Sequence, residues 1–476
     1  MLTYVLSTDG APPFNMSKRS FWPLQVILNF LPPHLRFKYV LLVGIMIVRH
    51  EPKPDLMNLF IKKFVEQTKH LQSEGIQVKV PHHDKYILLR FGPVCVVADS
   101  KARCVLQNRF QYNAYCSCSY CYHMAKYFYG AGIRFPFLEK EPELRTHETH
   151  LTDVKDVLKL GSSSVLGVKG ESAFLDNPII DMVWGFPLDY VHNAVLGVIV
   201  QMWNNWNKEY LVPAERREVD KLLLQIQPPR DLHRVTEKIS DKSLWKAMHW
   251  KSWLLYYCLP IMSKFLPLEL VEKCALFVNS IKTLLQIKIT EAELAKCEED
   301  LLIFVGDYNA LYGDNNMTFN VHILLHAVQS VRMTGPLWST SAFPFEHNIF
   351  CLKNTMNGQK SIEQQMSSKS LKLLSYKLEP QNPNVSSIVQ EYCKNIFNSK
   401  TVTDSAFTFD NYTFFGPHLK NKFQKELEFD RCIINNRIYC STKYNRSKKF
   451  NDTIVILRNG TIAQITGIKV INGVKK

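Results

Sequence analysis

The segment VVADSKARCVLQNRFQYNAYCSCSYCYH, residues 96–123, decides how the chain is interpreted. It starts in an apolar run that ends at Asp99, and it then gathers three cysteines and a histidine within residues 111–123. The apolar run predicts a buried strand that terminates at an acidic residue. The cysteines are compatible with a disulfide knot, a metal-binding knuckle or a buried apolar patch.

The sequence before this segment predicts an α/β core. Residues 1–8, 20–30 and 39–48 are typical of strands, and the continuous apolar run 39–48 predicts a strand buried on both faces. Residues 50–75 have helical spacing of apolar side chains, with proline near the start and glycine at the end. Residues 85–91 and 94–99 predict two further strands, so strands and a helix alternate.

The pattern of apolar side chains changes after residue 123, and the whole sequence predicts four regions. Residues 1–123 form the first part of the core with its cysteine knuckle, and 124–320 form a mainly α-helical insertion. Residues 321–380 return to the core. Residues 381–476 comprise a linker rich in proline, asparagine and serine, followed by a small β-rich C-terminal region, where Asn459-Gly460 is a hairpin turn signal.

Composition limits the class of protein. The 476 residues carry a formal charge of +15, which favours a polyanionic partner such as nucleic acid. The N-terminus lacks the pattern of a secretory signal, and no apolar run is long enough to cross a membrane. Twelve cysteines in such a chain indicate a reducing compartment, where clustered cysteines are more often metal ligands than disulfides.

Four residues form a candidate zinc site. Cys118 and Cys121 have the CxxC spacing that lets two thiolates reach one metal ion. His322 and His326 stand four residues apart, so on a helix both imidazoles would lie on one face. A redox-active pair has the same CxxC spacing, but no βαβ pattern with a helix N-terminus follows it here. Spacing alone leaves open two core histidines beside an unpaired CxxC. The nearby His147 and His150 are interpreted as exposed loop histidines.

Three acidic residues are candidates for a catalytic site. Asp9 and Asp99 end predicted strands, and Glu346 precedes a helix-like stretch. Carboxylates that meet at one sheet edge can hold two divalent cations and support hydrolysis of a phosphodiester. Each of these residues, taken singly, is more typical of an ordinary turn or helix cap than of a catalytic site.

The order of these features resembles DDE transposases of the CACTA (En/Spm) type, which are related to the Transib transposases and to the catalytic subunit of the antigen-receptor recombinase. Four blocks carry the resemblance over about residues 1–375: LSTDGAPPFNMSKRSFWPLQVIL (6–28), the opening segment 96–123, GVKGESAFLDNPIIDMVWGFPLDYVHNAVLGV (167–198) and GPLWSTSAFPFEHNIFCLKN (335–354).

This resemblance implies a ribonuclease-H-like core interrupted by an α-helical insertion. It implies a triad of Asp9, Asp99 and Glu346 with two Mg²⁺ or Mn²⁺ ions. It also implies a structural Zn²⁺, whose ligands would be Cys118, Cys121, His322 and His326. Asp189 and His192 match a further block of the family, for which the sequence indicates no role.

The implied function is cleavage of DNA strands and their transfer to target DNA. The implied partners are double-stranded DNA, at element ends and target, and a second copy of the chain in a homodimer, with no membrane. The implied location is the nucleus. The chain begins almost at the first acidic strand, where family members usually carry a preceding region. We therefore expect an N-terminally truncated or domesticated copy, with a catalytically silent DNA-binding protein as the alternative.

Overall fold

The computed structural model describes residues 1–14, 17–80, 84–232, 234–378, 385–397, 407–409, 412–415, 419–420, 426–434, 437–444, 449–471 and 474–475. The strands are β1 Leu2–Ser7, β2 Ser20–Leu28, β3 Leu41–Val48, β4 Ile76–Lys79, β5 Tyr86–Leu89, β6 Phe91–Val97, β7 Lys126–Phe128, β8 Gly132–Arg134, β9 Phe407–Phe409, β10 Tyr412–Phe415, β11 Leu419–Lys420, β12 Glu426–Phe429, β13 Arg431–Ile434, β14 Arg437–Cys440, β15 Ile454–Ile456, β16 Ile462–Gln464, β17 Ile468–Ile471 and β18 Val474–Lys475. The α-helices are α1 Pro33–Arg36, α2 Pro54–Ser73, α3 Ser100–Leu106, α4 His147–Leu160, α5 Ile199–Glu209, α6 Pro213–Gln225, α7 Ala247–Ser252, α8 Cys258–Met262, α9 Leu268–Leu284, α10 Glu291–Tyr312, α11 Phe319–His322, α12 Ala327–Thr334, α13 Phe343–Asn354, α14 Ile362–Leu378 and α15 Ser387–Phe397.

The chain is mixed α/β and divides into two compact units. The first comprises Met1–Tyr210 and Leu266–Tyr376, and the second comprises Leu211–Phe265 and Lys377–Lys476. The predicted linker at 379–387 lies for the most part outside the described residues.

A four-stranded sheet organises the first unit, with strand order β3–β2–β1–β6. β1 runs antiparallel to β2 and parallel to β6, and Leu6 is in register with Val26 on one side and Val96 on the other. Because β1 and β6 are adjacent and parallel, their carboxyl ends meet at the same edge of the sheet. The residues that follow these two strands are therefore brought together.

Helices cover both faces of this sheet. Alternate side chains of the strands pack on one face against α2 and α3, where Met57 and Ile61 are almost fully buried. On the other face, Phe21 of β2 packs with Ile349 of α13 and Met366 of α14. The resulting α/β/α layering fixes α13 against the sheet.

The structure corrects the prediction for β3. Both of its faces contact hydrophobic clusters, but every side chain of the strand remains partly exposed. Within the described part of the chain, β3 is an edge strand of its sheet, with a neighbouring strand on one side only. A continuous apolar run indicates that both faces of a strand pack against other elements, but it does not distinguish an edge strand from a central one.

The helical part of the first unit contains a long antiparallel pair and a π-helical stretch. α9 and α10 pack through Phe277 and Phe304, whose ring centroids are 5.0 Å apart with planes at 14°. Residues Val191–Val198 are π-helical and continue directly into α5. Such stretches are rare and occur frequently at functional sites.

The second unit combines α6, α7 and α8 with two four-stranded antiparallel sheets, whose strand orders are β14–β13–β10–β9 and β11–β12–β17–β18. Phe414, Phe429 and Ile468 are among the buried residues of its hydrophobic cluster. Among the residues described, no helix has both the length and the apolar character needed to cross a membrane.

Candidate functional site

Two of the predicted acidic residues lie at the shared edge of β1 and β6. Asp9 follows β1 by two residues, and the backbone N–H of Gly10 donates to its Oδ1 at 2.7 Å. Asp99 follows β6 by two residues and is the N-cap of α3, with its Oδ1 accepting from the N–H of Ala102 at 2.7 Å. Each aspartate is thus held by the backbone through one carboxylate oxygen.

The third acidic residue reaches the site on α13. Glu346 lies in the first turn of this helix, whereas the sequence predicts a position just before it. The helix begins at Phe343, and Pro344 is suited to a helix start. The amide of Asn348 donates to the buried Gln25 of β2 at 2.8 Å, which ties α13 to the sheet.

The three carboxylates influence one another's charge. Burial raises the pKa of Asp9 to about 7, with the negative charge of Asp99 adding to the effect and that of Glu346 contributing less. Burial also raises the pKa of Glu346, and the charges of Asp189 and Asp99 add to it while His192 opposes it. The site therefore concentrates negative charge that a cation would neutralise.

His192 links Glu346 to a fourth acidic residue. Its Nδ1 lies 2.5 Å from Oδ2 of Asp189, and its Nε2 lies 3.4 Å from Oε1 of Glu346. Burial works to lower the pKa of His192, but Asp189 and Glu346 outweigh it and raise the pKa to about 9. The imidazole is therefore positively charged at neutral pH and faces a carboxylate on each side. The sequence indicates no role for Asp189 and His192, because it does not show that His192 contacts Glu346.

The four predicted zinc ligands form one buried cluster. The ligand atoms of Cys118, Cys121, His322 and His326 all lie within 4.8 Å of one another. The Sγ of Cys118 is 3.6 Å from Nε2 of His326, and the Sγ of Cys121 is 3.4 Å from Nε2 of His322. Two thiols and two imidazoles are the donor set of a structural zinc site, so the cluster can hold such an ion.

The protonation of this cluster suits a metal ion. Burial works to raise the pKa of Cys118, but a hydrogen bond with Cys121 and the nearby imidazoles bring it well below its ordinary value. The same hydrogen bond, with burial, raises the pKa of Cys121. Burial lowers the pKa of His322, which favours the neutral imidazole that ligates metals. One thiolate is therefore already favoured, and a bound cation would stabilise the second.

The backbone around these ligands differs from the predicted single helix. His322 ends α11, and His326 ends a 3₁₀ turn at Ile323–His326 before α12 begins. Two buried arginines support the knuckle from the other side, because Arg109 donates to the carbonyl of Cys118 and Arg145 to that of Cys121, each at 3.0 Å.

His147 and His150 are not loop residues, which corrects their interpretation. Both lie in α4, and His150 is fully buried. Burial lowers its pKa to about 3, so it is a neutral core side chain. The helix begins at a capping box formed by Thr146 and Thr149, a signal within RTHETH that sequence analysis missed.

The acidic cluster, which consists of Asp9, Asp99 and Glu346, is wider than the Cys/His cluster. Within the described part of the chain, the Cys/His cluster is the one group of three or more such side chains that converges as a single metal ion requires. Two cations about 3.5–4 Å apart, each shared by a subset of carboxylates, suit a more open arrangement. Oε1 of Glu346 is buried and has a charged contact with His192 at 3.4 Å, but it accepts no hydrogen bond from the residues that the structure describes, so this oxygen can serve as a ligand.

A basic cavity of about 310 Å³ opens beside Asp9. Its walls include Lys18, Arg19, Arg49 and Lys101. These cations come from the loop before β2, the end of β3 and the start of α3. They are scattered in the sequence, so only the fold brings them to one surface next to the acidic cluster.

A comparison with known families finds a match to part of the chain. Residues 2–140 match the family model described as transposase family tnp2. This range contains Asp9, Asp99 and the CxxC pair, whereas His322, His326 and Glu346 lie beyond it. The match supports a transposase family and, in general terms, a transposase-like function. No curated protein matches the chain.

Proposed function

We propose that the chain cleaves DNA strands and joins a freed 3′-hydroxyl to target DNA, with Asp9, Asp99 and Glu346 as its catalytic triad. The family match supports a transposase and hence binding of DNA. The finer assignment, a DDE enzyme of the CACTA type with a ribonuclease-H-like core, is consistent with the mixed α/β sheet and the positions of the triad.

One observation carries this proposal. Two aspartates follow adjacent parallel strands, and a glutamate lies on a helix packed against the same sheet. Burial and the negative charges of Asp99 and Glu346 raise the pKa of Asp9. Carboxylates that repel one another in a partly buried site are destabilising unless cations bind there. An arrangement of this kind is typical of functional sites rather than of helix caps.

The side chains present fit hard divalent cations. All three candidate ligands are carboxylates, which suit Mg²⁺ or Mn²⁺. When bound, two such ions would activate a water or hydroxyl and stabilise the leaving oxygen of a phosphodiester. The chain itself supplies orientation: Gly10 and Ala102 hold the aspartates through their backbone N–H groups, and His192 holds Glu346 from the side.

The basic cavity supplies a path for the DNA backbone. Lys18, Arg19 and Arg49 line it next to Asp9, and Lys101 lies 3.3 Å from Glu51 on the same wall. Cations at this position can bind the phosphates that flank a scissile bond, and they account for part of the chain's basic excess. We further propose that the enzyme acts on element ends and target DNA in the nucleus, as a homodimer.

Replacing Asp99 with asparagine tests the proposal. Asparagine is as good an N-cap as aspartate, so α3 and the fold should be retained. We expect Asp99→Asn to abolish Mn²⁺-dependent nicking and strand transfer of a labelled duplex. Binding to the same duplex without added divalent cation should be unchanged or slightly tighter, because one negative charge facing the phosphates is removed.

The matched control is Asp84→Asn, which changes an exposed aspartate in the turn between β4 and β5. This control should cleave as the wild type does. A wild-type protein that binds DNA and never cleaves it would favour the silent DNA-binding alternative. Equal nicking by wild type and Asp99→Asn would refute the triad.

A further inference from the structure

A second cavity is lined in part by Asp99. It has a volume of about 520 Å³, and Asp99 and His192 line it together with Tyr112 and Phe319. Cavities of about 300–1,000 Å³ typically bind small molecules or parts of larger ones. We call it the aromatic cavity.

The aromatic cavity has a wall formed by two aromatic rings. The rings of Tyr112 and Phe319 have centroids 6.1 Å apart with planes at 42°, and the side chain of Tyr112 is 44% exposed. An exposed ring of this kind, open to a cavity rather than packed in a core, can stack on another flat group.

Polar and cationic groups complete the lining. The amide side chains of Asn113 and Asn320 border the cavity, and both can donate and accept hydrogen bonds. Arg134 is held in place because its Nε donates to the carbonyl of Asn315 at 2.7 Å and its Nη1 to that of Ile133 at 2.9 Å. Lys101 lines both this cavity and the basic cavity, so a strand could pass from one to the other.

We propose that the aromatic cavity binds a single unpaired nucleobase of the DNA strand beside the cleavage site. A base is planar and can stack on the ring of Tyr112, and its hydrogen-bonding edges can pair with the amides of Asn113 and Asn320. The phosphates on either side of its nucleotide can bind the cations of the lining. Enzymes that act on DNA commonly take a base out of the helical stack into such a pocket. The proposal rests on the proposed function, since it assumes that DNA lies across Asp99.

The Cys/His cluster supports the aromatic wall. Phe319 belongs to α11, the helix that His322 ends. The ring of Phe135 packs between them, with its centroid 5.6 Å from that of Phe319 and stacked 4.9 Å from that of His322. A metal ion bound by His322 would therefore fix the position of the ring on which the base stacks.

The test compares two duplexes of equal length, one fully paired and one with a single bulged nucleotide. Binding is measured by fluorescence anisotropy without added divalent cation, so the readout does not depend on cleavage. The wild type should prefer the bulged duplex. Tyr112→Ala should reduce this preference by about 5- to 150-fold, as expected for loss of one stacked base, and should leave affinity for the paired duplex nearly unchanged.

Two further variants sharpen the test. Phe319→Leu keeps an apolar wall and loses the ring, so it should lose the preference while retaining its metal. Tyr129→Ala removes a tyrosine that is 96% exposed in the adjacent β7–β8 hairpin, and it should behave as the wild type does. If Phe319→Leu fails to fold, Tyr112→Ala decides alone.

Equal affinity of the wild type for both duplexes, or an unchanged preference in Tyr112→Ala, would overturn the proposal. A free deoxynucleoside monophosphate that competes as well as the bulged duplex would also overturn it, in favour of a free-nucleotide site. Failure of the catalytic proposal is distinguishable. In that case the wild type does not nick DNA, and the bulge preference and its loss in Tyr112→Ala are still observed.

Discussion

Removal of one thiol from the Cys/His cluster should destabilise the first unit by a calculable amount. The variant Cys118→Ser replaces a buried thiolate ligand with a hydroxyl that zinc does not favour. Cys121 and His322 are 201 residues apart in sequence, so a metal ion bound between them closes a very long loop. Its loss releases that constraint in the unfolded chain.

The magnitude follows from the length of the loop. A cross-link across about 100 residues stabilises by about 4.7 kcal/mol, and each doubling of the loop adds about 0.6 kcal/mol. A metal ion that closes this loop of about 200 residues should therefore contribute about 5 kcal/mol to the free energy of unfolding. The first unit has roughly 320 residues, and unfolding entropy is about 2.1 cal/mol/K per residue. We expect the melting temperature of this unit to fall by about 7–8 °C.

The assay combines calorimetric melting with metal analysis of the purified protein. Wild type should contain about one zinc per chain, and Cys118→Ser should contain substantially less. Cys116→Ser is the matched control: it makes the same substitution two residues away, and serine can still accept the hydrogen bond that Arg145 donates to Cys116 at 3.3 Å. Retention of zinc and an unchanged melting temperature in Cys118→Ser would refute the proposed stabilisation by a bound metal ion. Loss of zinc in Cys116→Ser would refute the choice of ligands.

Three other predictions concern the catalytic region. Arg49→Ala should reduce the slope of log affinity against log salt by about 0.9, because one phosphate contact is lost, and a salt titration of duplex binding measures it. His192→Gln should raise the Mn²⁺ concentration for half-maximal nicking by about 10- to 100-fold, since the group that orients Glu346 is replaced, with DNA affinity as the control. Ile349→Ala should destabilise the packing of α13 by about 2–5 kcal/mol in denaturant unfolding. In contrast, Phe350→Ala, at a site 59% exposed in the same helix, should have little effect.

Local sequence signals predicted the elements that carry the site. The predicted strands before Asp9 and Asp99 are β1 and β6, and the helical spacing within 50–75 corresponds to α2. These signals are local because backbone conformation and periodic burial depend on neighbouring residues. The pairing of Cys118 with His326 was instead predicted from the resemblance of this sequence to a family. Spacing alone is equally compatible with core histidines beside an unpaired CxxC.

What the sequence could not predict depends on long-range packing. The edge position of β3 is decided by which strand pairs with which, and an apolar run is the same in either case. The basic cavity assembles Lys18, Arg49 and Lys101 from three separate segments, each an ordinary surface cation by itself. The contact between His192 and Glu346 likewise joins residues 154 positions apart, as their numbering shows.

One short segment connects the Cys/His cluster with the catalytic carboxylates. Residues 186–189 run just before His192, and three neighbours hold their backbone. Tyr120 of the knuckle donates to the carbonyl of Phe186 at 2.9 Å, and Arg103 of α3 donates to that of Pro187 at 2.6 Å. The N–H of Leu188 donates to Oγ of Ser330 in α12 at 2.9 Å.

Two of these anchors, Tyr120 and Ser330, belong to the elements that a metal ion would tie together. Tyr120 lies between Cys118 and Cys121, and Ser330 lies on the helix that starts directly after His326. Any movement of the knuckle relative to α12 would therefore displace the segment that ends at Asp189. Because Asp189 orients His192, and His192 contacts Glu346, the same movement would reach the third member of the triad. It follows that a variant such as Cys118→Ser, at a temperature where it remains folded, should impair cleavage more than it impairs DNA binding.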